Sequence, residues 1–202
     1  MQIGAFVRII LASKSPRRRE LLGELYENFD IMTEETDETL PCGIHPREGV
    51  AILAERKGRA VLDKLTLLGE MDMDTLIISS DTLVEKDGAA LGKPTSEDDA
   101  FRMLSELSDA WHNVHTGIAV HYRGRVLSGT AGTAVHFRAI SEEERLWYID
   151  TGEPMDKAGA YGIQGLGGRF VTEIRGDFDT VVGLSLNKLT SLIKEITEVD
   201  NK

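Results

Sequence analysis

The chain has 202 residues, 41% of them hydrophobic and 28% charged, with a formal net charge of −11. That length carries a sizeable core, and residues 1–202 read as a single domain. Acidity on this scale excludes non-specific nucleic-acid binding, no apolar run approaches the ~20 residues of a membrane span, and the lone Cys42 rules out an internal disulfide framework and suits a reducing compartment such as the cytoplasm.

Residues 7–12 are apolar and predict a first strand; Arg8 sets the stretch apart from a signal-peptide core. Ser15 suits a helix N-cap and Pro16 a first helical position, so a helix is expected over residues 17–25, with Leu21, Leu22 and Leu25 as its apolar stripe. Residues 29–33 read as a strand and residues 34–43 as an acidic loop. Pro46 opens a long helix to about Leu67 that contains Lys57.

Residues 75–94 read TLIISSDTLVEKDGAALGKP. Leu76-Ile77-Ile78 is short and β-branched, as a buried strand is. Ser79-Ser80-Asp81-Thr82 then places a carboxylate at that strand's end, where α/β enzymes put chemistry. A second short strand is expected at residues 83–85, followed by the Asp87-Gly88 turn. Such a hairpin returns Lys93 toward Asp81.

A helix follows from Ser96, with Phe101, Leu104 and Leu107 on one face. Period-2 alternation predicts strands over residues 114–120 and 133–137, and residues 122–125 suit a hairpin turn. Ser141 to Glu144 signals a helix start, residues 152–168 are Gly-rich, residues 170–174 read as a strand, and residues 182–199 as a closing helix. Strands and helices interleave, which gives an α/β fold with a mixed sheet.

The junction at residues 13–19 carries the densest chemistry. A helix N-terminus offers free N–H groups, Ser13 and Ser15 add hydroxyls, and Arg17 and Arg18 add planar forks. Three arginines at a helix N-terminus oppose its dipole, a conflict that an anionic partner resolves. Taken alone, Lys57 and Glu38 read as solvated charges, and His112 and His115 as core or capping histidines before a metal pair. Residues 156–165 read equally as a tight loop or as a close backbone approach to a ligand, with Gln164 able to read a base edge.

These segments occur together in one order: LASKSPRRRELL, the loop ending in Glu38, AERKGRA, SSDTLVEKDG with LGKP, MLSELSDAWHNVHTGIAV, and GEPMDKAGAYGIQGLGGRFVTEIRGDFDTVVGLSL. They resemble the Maf family of nucleoside triphosphate pyrophosphatases across residues 9–186. The resemblance implies hydrolysis of a nucleoside triphosphate to the monophosphate and pyrophosphate, with a divalent cation, Mg²⁺ or Mn²⁺. It also implies an elongated α/β fold of two lobes around a central cleft, similar to inosine triphosphate pyrophosphatase, and a homodimer. Asp81 matches the proposed proton acceptor. Ser13, Arg18, Lys57 and Lys93 match residues expected to hold the triphosphate, and Glu38 matches an acidic position suited to bind metal with Asp81.

Arg17, Thr82 and Gln164 match the dTTP/UTP type at its three distinguishing places, against the 7-methyl-GTP type. Asp109 and Ser185 stand where the family usually has Gly and Pro, and Ser79-Ser80 replaces a Gly-Ala pair. A nucleotide-binding regulator of cell division without turnover is the rival from another class, and the intact Asp81, Lys57 and Lys93 set speaks against it.

Overall fold

In the computed structural model, which describes residues 6–198, the apolar opening becomes strand β1 (Arg8–Leu11). Ser15 caps helix α1 (Pro16–Gly23) by accepting from Arg18 N, as its sequence signal predicts. Strand β2 (Asp30–Ile31) is shorter than the 29–33 run; both residues are exposed, so little burial favours extending it. Helix α2 (Pro46–Leu68) has Pro46 in its first turn, His45 as N-cap, and Gly69 in the left-handed region at its C-terminus.

β1 is parallel to β2 and to β3 (Thr75–Lys86), in the order β2-β1-β3. The chain crosses from β1 to β2, then back over β1 to β3. Right-handed crossovers in opposite directions put α1 and α2 on opposite faces of the sheet. Accordingly Leu21 and Leu22 of α1 join a core with Leu11 and Ile78, whereas Val61 and Leu65 of α2 join Ile10 and Ile77.

The centre of the chain differs from its sequence reading. The two short strands at residues 76–78 and 83–85 are one unbroken strand, β3, and Asp81 lies within it instead of in a loop beyond its end. The serines that read as a loop signal are satisfied inside the sheet. Ser79 Oγ donates to Ala54 O of α2 at 2.7 Å, and Ser80 Oγ donates to Gly183 O at 3.1 Å. Antiparallel pairing with β5 (Trp111–Tyr122) runs without interruption from Ile77 to Glu85 of β3.

On its opposite edge β3 pairs with β1 only over Thr75–Ile78, and with β4 (Ala89–Leu91) only over Val84–Lys86. Between those two pairings the edge has no strand partner among the described residues, and Asp81 sits at the gap. β1 and β3 are also neighbours whose chains leave in different directions, the arrangement that opens a crevice at the strands' carboxyl ends. The turn between β3 and β4 has Asp87 and Gly88 both at positive φ, 51° and 83°.

Helix α3 (Glu97–Leu107) is capped by Ser96. β5 turns through Arg123-Gly124 into β6 (Arg125–Phe137), which starts well before the 133–137 alternation. β6 pairs with β7 (Val171–Arg175), completing the mixed seven-stranded sheet β2-β1-β3-β5-β6-β7, with β4 beside β3. A capping box of Ser141 and Glu144 opens helix α4 (Glu142–Asp150). The Gly-rich stretch folds mostly into short 3₁₀ turns. Leu104, Phe137, Tyr148 and Phe170 form a further core at this end of the sheet. β3 thus runs from one end of the molecule to the other, with Ile78 in the first core and Val84 in the last.

The closing helix predicted from residue 182 begins only at α6 (Leu186–Glu198), because Val182 ends a separate short helix, α5 (Phe178–Val182). Gly183 breaks them at φ 125°. Ser185 accepts from Lys188 N and so opens α6 where the family's proline would. Val199, the expected end, lies outside the described residues. Asp109 has φ 54°, a left-handed backbone that explains the family's glycine there and that aspartate tolerates better than most residues. Among the described residues, no helix is long and apolar enough to cross a membrane.

His112 is buried, with Nε2 2.9 Å from Tyr161 Oη. Burial draws its pKa down to about 3. Below the ordinary value of 6.5 the unfolded chain takes up a proton that the folded chain refuses until about pH 3, so acid favours unfolding across that window. Between pH 6.5 and 5 His112 alone is expected to cost about 2 kcal/mol of stability. Urea unfolding of wild type and His112→Asn at both pH values checks this: the variant loses about one proton's worth of the slope, and equal slopes would disprove it.

Candidate active site

The gap in the β3 edge opens into a cleft of about 1280 Å³. Several chain segments converge on it. The turn after β1 brings Ser13, Arg17 and Arg18. The connection leaving β4 brings Lys93. Strand β3 itself supplies Asp81 and Thr82. Lys57 reaches in from α2 and Glu38 from the acidic segment. Gln164 is the expected residue that the structure does not bring in: it is exposed and absent from the cleft lining, to which its neighbours Gly162 and Ile163 contribute.

Asp81 is buried, facing α2. The Lys57 ammonium pairs with its Oδ1, and at 2.7 Å with Glu38 Oε1. One cation therefore joins two carboxylates that lie 43 positions apart in the sequence. The hydrogen bond from Lys57 holds the Glu38 carboxyl below its usual range; partial burial opposes that, and the charges of Lys93 and Arg18 assist it.

Lys57 reaches Asp81 because α2 lies unusually close to the sheet. Gly117, opposite Asp81 in the register, faces Val50 O; a Cβ there would come within 2.1 Å of that carbonyl. Gly58 likewise faces His121 and Ser79, leaving no room for a side chain.

Arg18 does something other than its sequence position suggests. Its Nε donates to Gly183 O at 2.9 Å. Nη1 donates to Ser80 O at 2.8 Å and, at 3.4 Å, to Ser13 Oγ, while Nη2 donates to Thr82 Oγ1 at 3.2 Å. Burial lowers its pKa, against the pull of the Asp81 charge. The guanidinium thus fills the edge gap of β3 and ties that strand to α1 and to the α5–α6 junction.

Thr82 is engaged in the same network. Thr116 donates its only hydroxyl proton to Thr180 O at 2.7 Å, so the 2.9 Å contact between the two threonines is a donation from Thr82. With Arg18 donating to it, the Thr82 hydroxyl is committed within the protein. Ser13 Oγ accepts from Ser15 N at 3.2 Å and shapes the turn. Among the described residues Arg17 and Lys93 have no hydrogen-bond partner, and both line the cleft.

His112 and His115 meet different partners. His112 meets Tyr161, and His115 Nε2 meets Glu85 Oε2 at 2.5 Å. Among the described residues no group of three or more His, Cys, Asp or Glu is arranged to hold a metal. Asp81 and Glu38 nevertheless converge on one cationic position with hard oxygen donors, the set that suits Mg²⁺ or Mn²⁺ when phosphate oxygens and water complete the shell. A metal there would compete with Lys57 for the same oxygens. Sequence reasoning missed Arg56, next to Lys57, and Lys157, which lines the cleft; neither stands out in a run of ordinary surface charges.

The sequence profile of the Maf-like protein family matches residues 8–196. The chain is 44% identical over 192 residues to a dTTP/UTP pyrophosphatase of Clostridium beijerinckii, covering 94% of this chain and 100% of that protein. It is 45% identical over 186 residues to the dTTP/UTP pyrophosphatase of Thermococcus kodakarensis, covering 91% and 94%. With that of Bacillus velezensis it shares 43% over 188 residues, covering 93% and 96%. A superposition on the Staphylococcus aureus Ham1 protein reaches a TM-score of only 0.48 at 14% identity, with 96% and 95% covered, and carries no weight for the function.

The Arg18 fork cannot be reproduced by an ammonium. Arg18→Lys is expected to lower unfolding free energy by about 3 kcal/mol, since charge-assisted bonds to buried carbonyls are lost. Chemical denaturation measures it; a change below about 1 kcal/mol would show that the fork is not structural.

Proposed function

The chain belongs to the Maf-like protein family, and we propose that it hydrolyses dTTP and UTP to the monophosphate and pyrophosphate. The observation that carries this reading is the Lys57 ammonium joined to both Asp81 and Glu38 inside a cleft that also holds Arg17 and Lys93. An acidic molecule keeps cations at one point only where something anionic is to be met, and a triphosphate chain suits that arrangement.

Water attacks the α-phosphorus, pyrophosphate leaves, and the water's proton must be taken up. Asp81 is the acceptor: it is buried at the cleft floor on a strand paired with β5 on either side of it, from Ile77 to Glu85, so its position is fixed before substrate arrives. Arg17 and Lys93 meet the charge that builds on the departing pyrophosphate, and the turn from Ser13 to Arg17 presents the helix N-terminus to the phosphates. Arg18 holds that turn against β3. Lys57 bridges Asp81 and Glu38 and so holds the two carboxylates together at one point of the cleft. A divalent cation held by Asp81 and Glu38 would acidify the attacking water and neutralise phosphate charge.

The apolar wall of the cleft includes Leu53, Tyr161 and Ile163, a surface for a nucleobase. We read the molecule as a cytoplasmic homodimer; the free, exposed Cys42 accords with a reducing compartment.

Pyrophosphate release from a triphosphate panel with Mg²⁺ or Mn²⁺ is the test. dTTP and UTP are expected to turn over in preference to 7-methyl-GTP, and release from none of them would sink the reading. Asp81→Asn is expected to fold normally and to lose about 10²–10⁴ in turnover. Unchanged turnover would remove Asp81 from the proton-acceptor role.

A further inference from the structure

The acidic segment of residues 34–40 is laid along α2. Glu34 meets Lys64 at 3.5 Å, Glu38 meets Lys57 at 2.7 Å, and Leu40 lies over Gly49, where a Cβ would come within 2.6 Å of Leu40 Cδ1. The partners descend along the helix as the segment ascends, so the two run antiparallel. Their lengths agree: six extended steps span about 20 Å, and fifteen helical ones about 22 Å.

Midway along this track Arg56 Nη1 donates to two carbonyls, Asp37 O at 2.9 Å and Thr39 O at 2.7 Å. These are the residues on either side of Glu38. The segment needs such a fastening. It carries four carboxylates, those of Glu34, Glu35, Asp37 and Glu38, which repel one another. It also has space on both sides. In front is the cleft, and behind lies a second cavity of about 630 Å³; Glu35 and Thr36 line both. A wall with little packed against either side is held by its hydrogen bonds.

We propose that Arg56 is a positioning residue for the reaction, acting through Glu38. It grips the peptide groups flanking Glu38, so the carboxylate is delivered to Lys57 and Asp81 in one place. Lys57 and Arg56 are consecutive on α2, one taking the Glu38 side chain and the other its backbone neighbours. Arg18 does the same for the second carboxylate, bonding Ser80 O and Thr82 Oγ1 on either side of Asp81. Groups that hold a catalytic or metal-binding side chain in this way are worth about 10–100-fold in activity. The inference rests on the proposed role of Glu38 and Asp81 in triphosphate hydrolysis.

The test is a double-mutant cycle with an exchange measurement on the full chain. Arg56→Gln is expected to lower pyrophosphate release from dTTP about 10–100-fold. In the Glu38→Gln background the same substitution is expected to cost less than about twofold, because the residue it positions is already disabled. Equal losses in both backgrounds would overturn the proposal, as a general loss of stability gives that result.

Amide hydrogen exchange over residues 34–40, without nucleotide or metal, is expected to quicken about tenfold in Arg56→Gln while β3 and β5 stay protected. Unchanged exchange would equally refute the clamp. Arg56→Lys, which retains the charge but not the fork, is expected to fall between wild type and Arg56→Gln in both measurements, and it serves if Arg56→Gln does not fold. A wild-type chain that releases no pyrophosphate sinks the functional reading instead, and the exchange measurement still decides whether Arg56 holds the segment.

Discussion

The seat of α2 on the sheet is the constraint from which the site follows. Gly117 lets the Val50 carbonyl approach to where no side chain would fit, and Gly58 accepts His121 and Ser79 from the sheet. Ser79 then bonds the Ala54 carbonyl, pinning helix to strand midway along both. At that separation a lysine one residue before Gly58 reaches the carboxylate opposite Gly117. A methyl group at Gly117 would push the helix outward and withdraw Lys57 and Arg56 together.

The sheet supplies the complementary feature. β3 is paired along one edge by β5 and along the other by β1 and β4, with an interval between them. An unpaired strand edge leaves backbone groups to be satisfied. Here Arg18 takes the Ser80 carbonyl, so the interval that opens the cleft is also where the molecule seats a half-buried cation. A guanidinium is suited to this because one planar group serves α1, β3 and the α5–α6 junction at once.

Charge is organised locally against the global balance. The molecule carries −11 overall, yet Arg17, Arg18, Lys57 and Lys93 all face the cleft. Two of these, Arg18 and Lys57, are already engaged with protein partners, whereas Arg17 and Lys93 line the cleft without a hydrogen bond or ion pair among the described residues, as the proposed contact with a triphosphate requires. The basic residues therefore divide into those that build the site and those that face its occupant, although nothing in residue type separates them.

Much was legible in the sequence because it is local. The Ser15–Pro16 start of α1, the capping box at Ser141, the Asp87–Gly88 turn and the α/β alternation depend on neighbours a few residues away. The separated motifs also named Asp81, Lys57, Lys93, Glu38 and the residue 13–19 turn as one site. What the tertiary structure alone decided is what distant partners decide. Ser79 and Ser80 look like a loop until Ala54 and Gly183, 25 and 103 residues away, take their hydroxyls and let β3 continue. Gln164 sits in a motif rich in small residues, but the path of that loop turns it to solvent. Arg18 is indistinguishable from Arg17 in sequence, and only the arrival of Gly183, 165 residues later, makes it a structural fork. Local propensity fixes caps and tight turns; how far a strand runs, and which polar group is satisfied by whom, is settled only when remote segments meet.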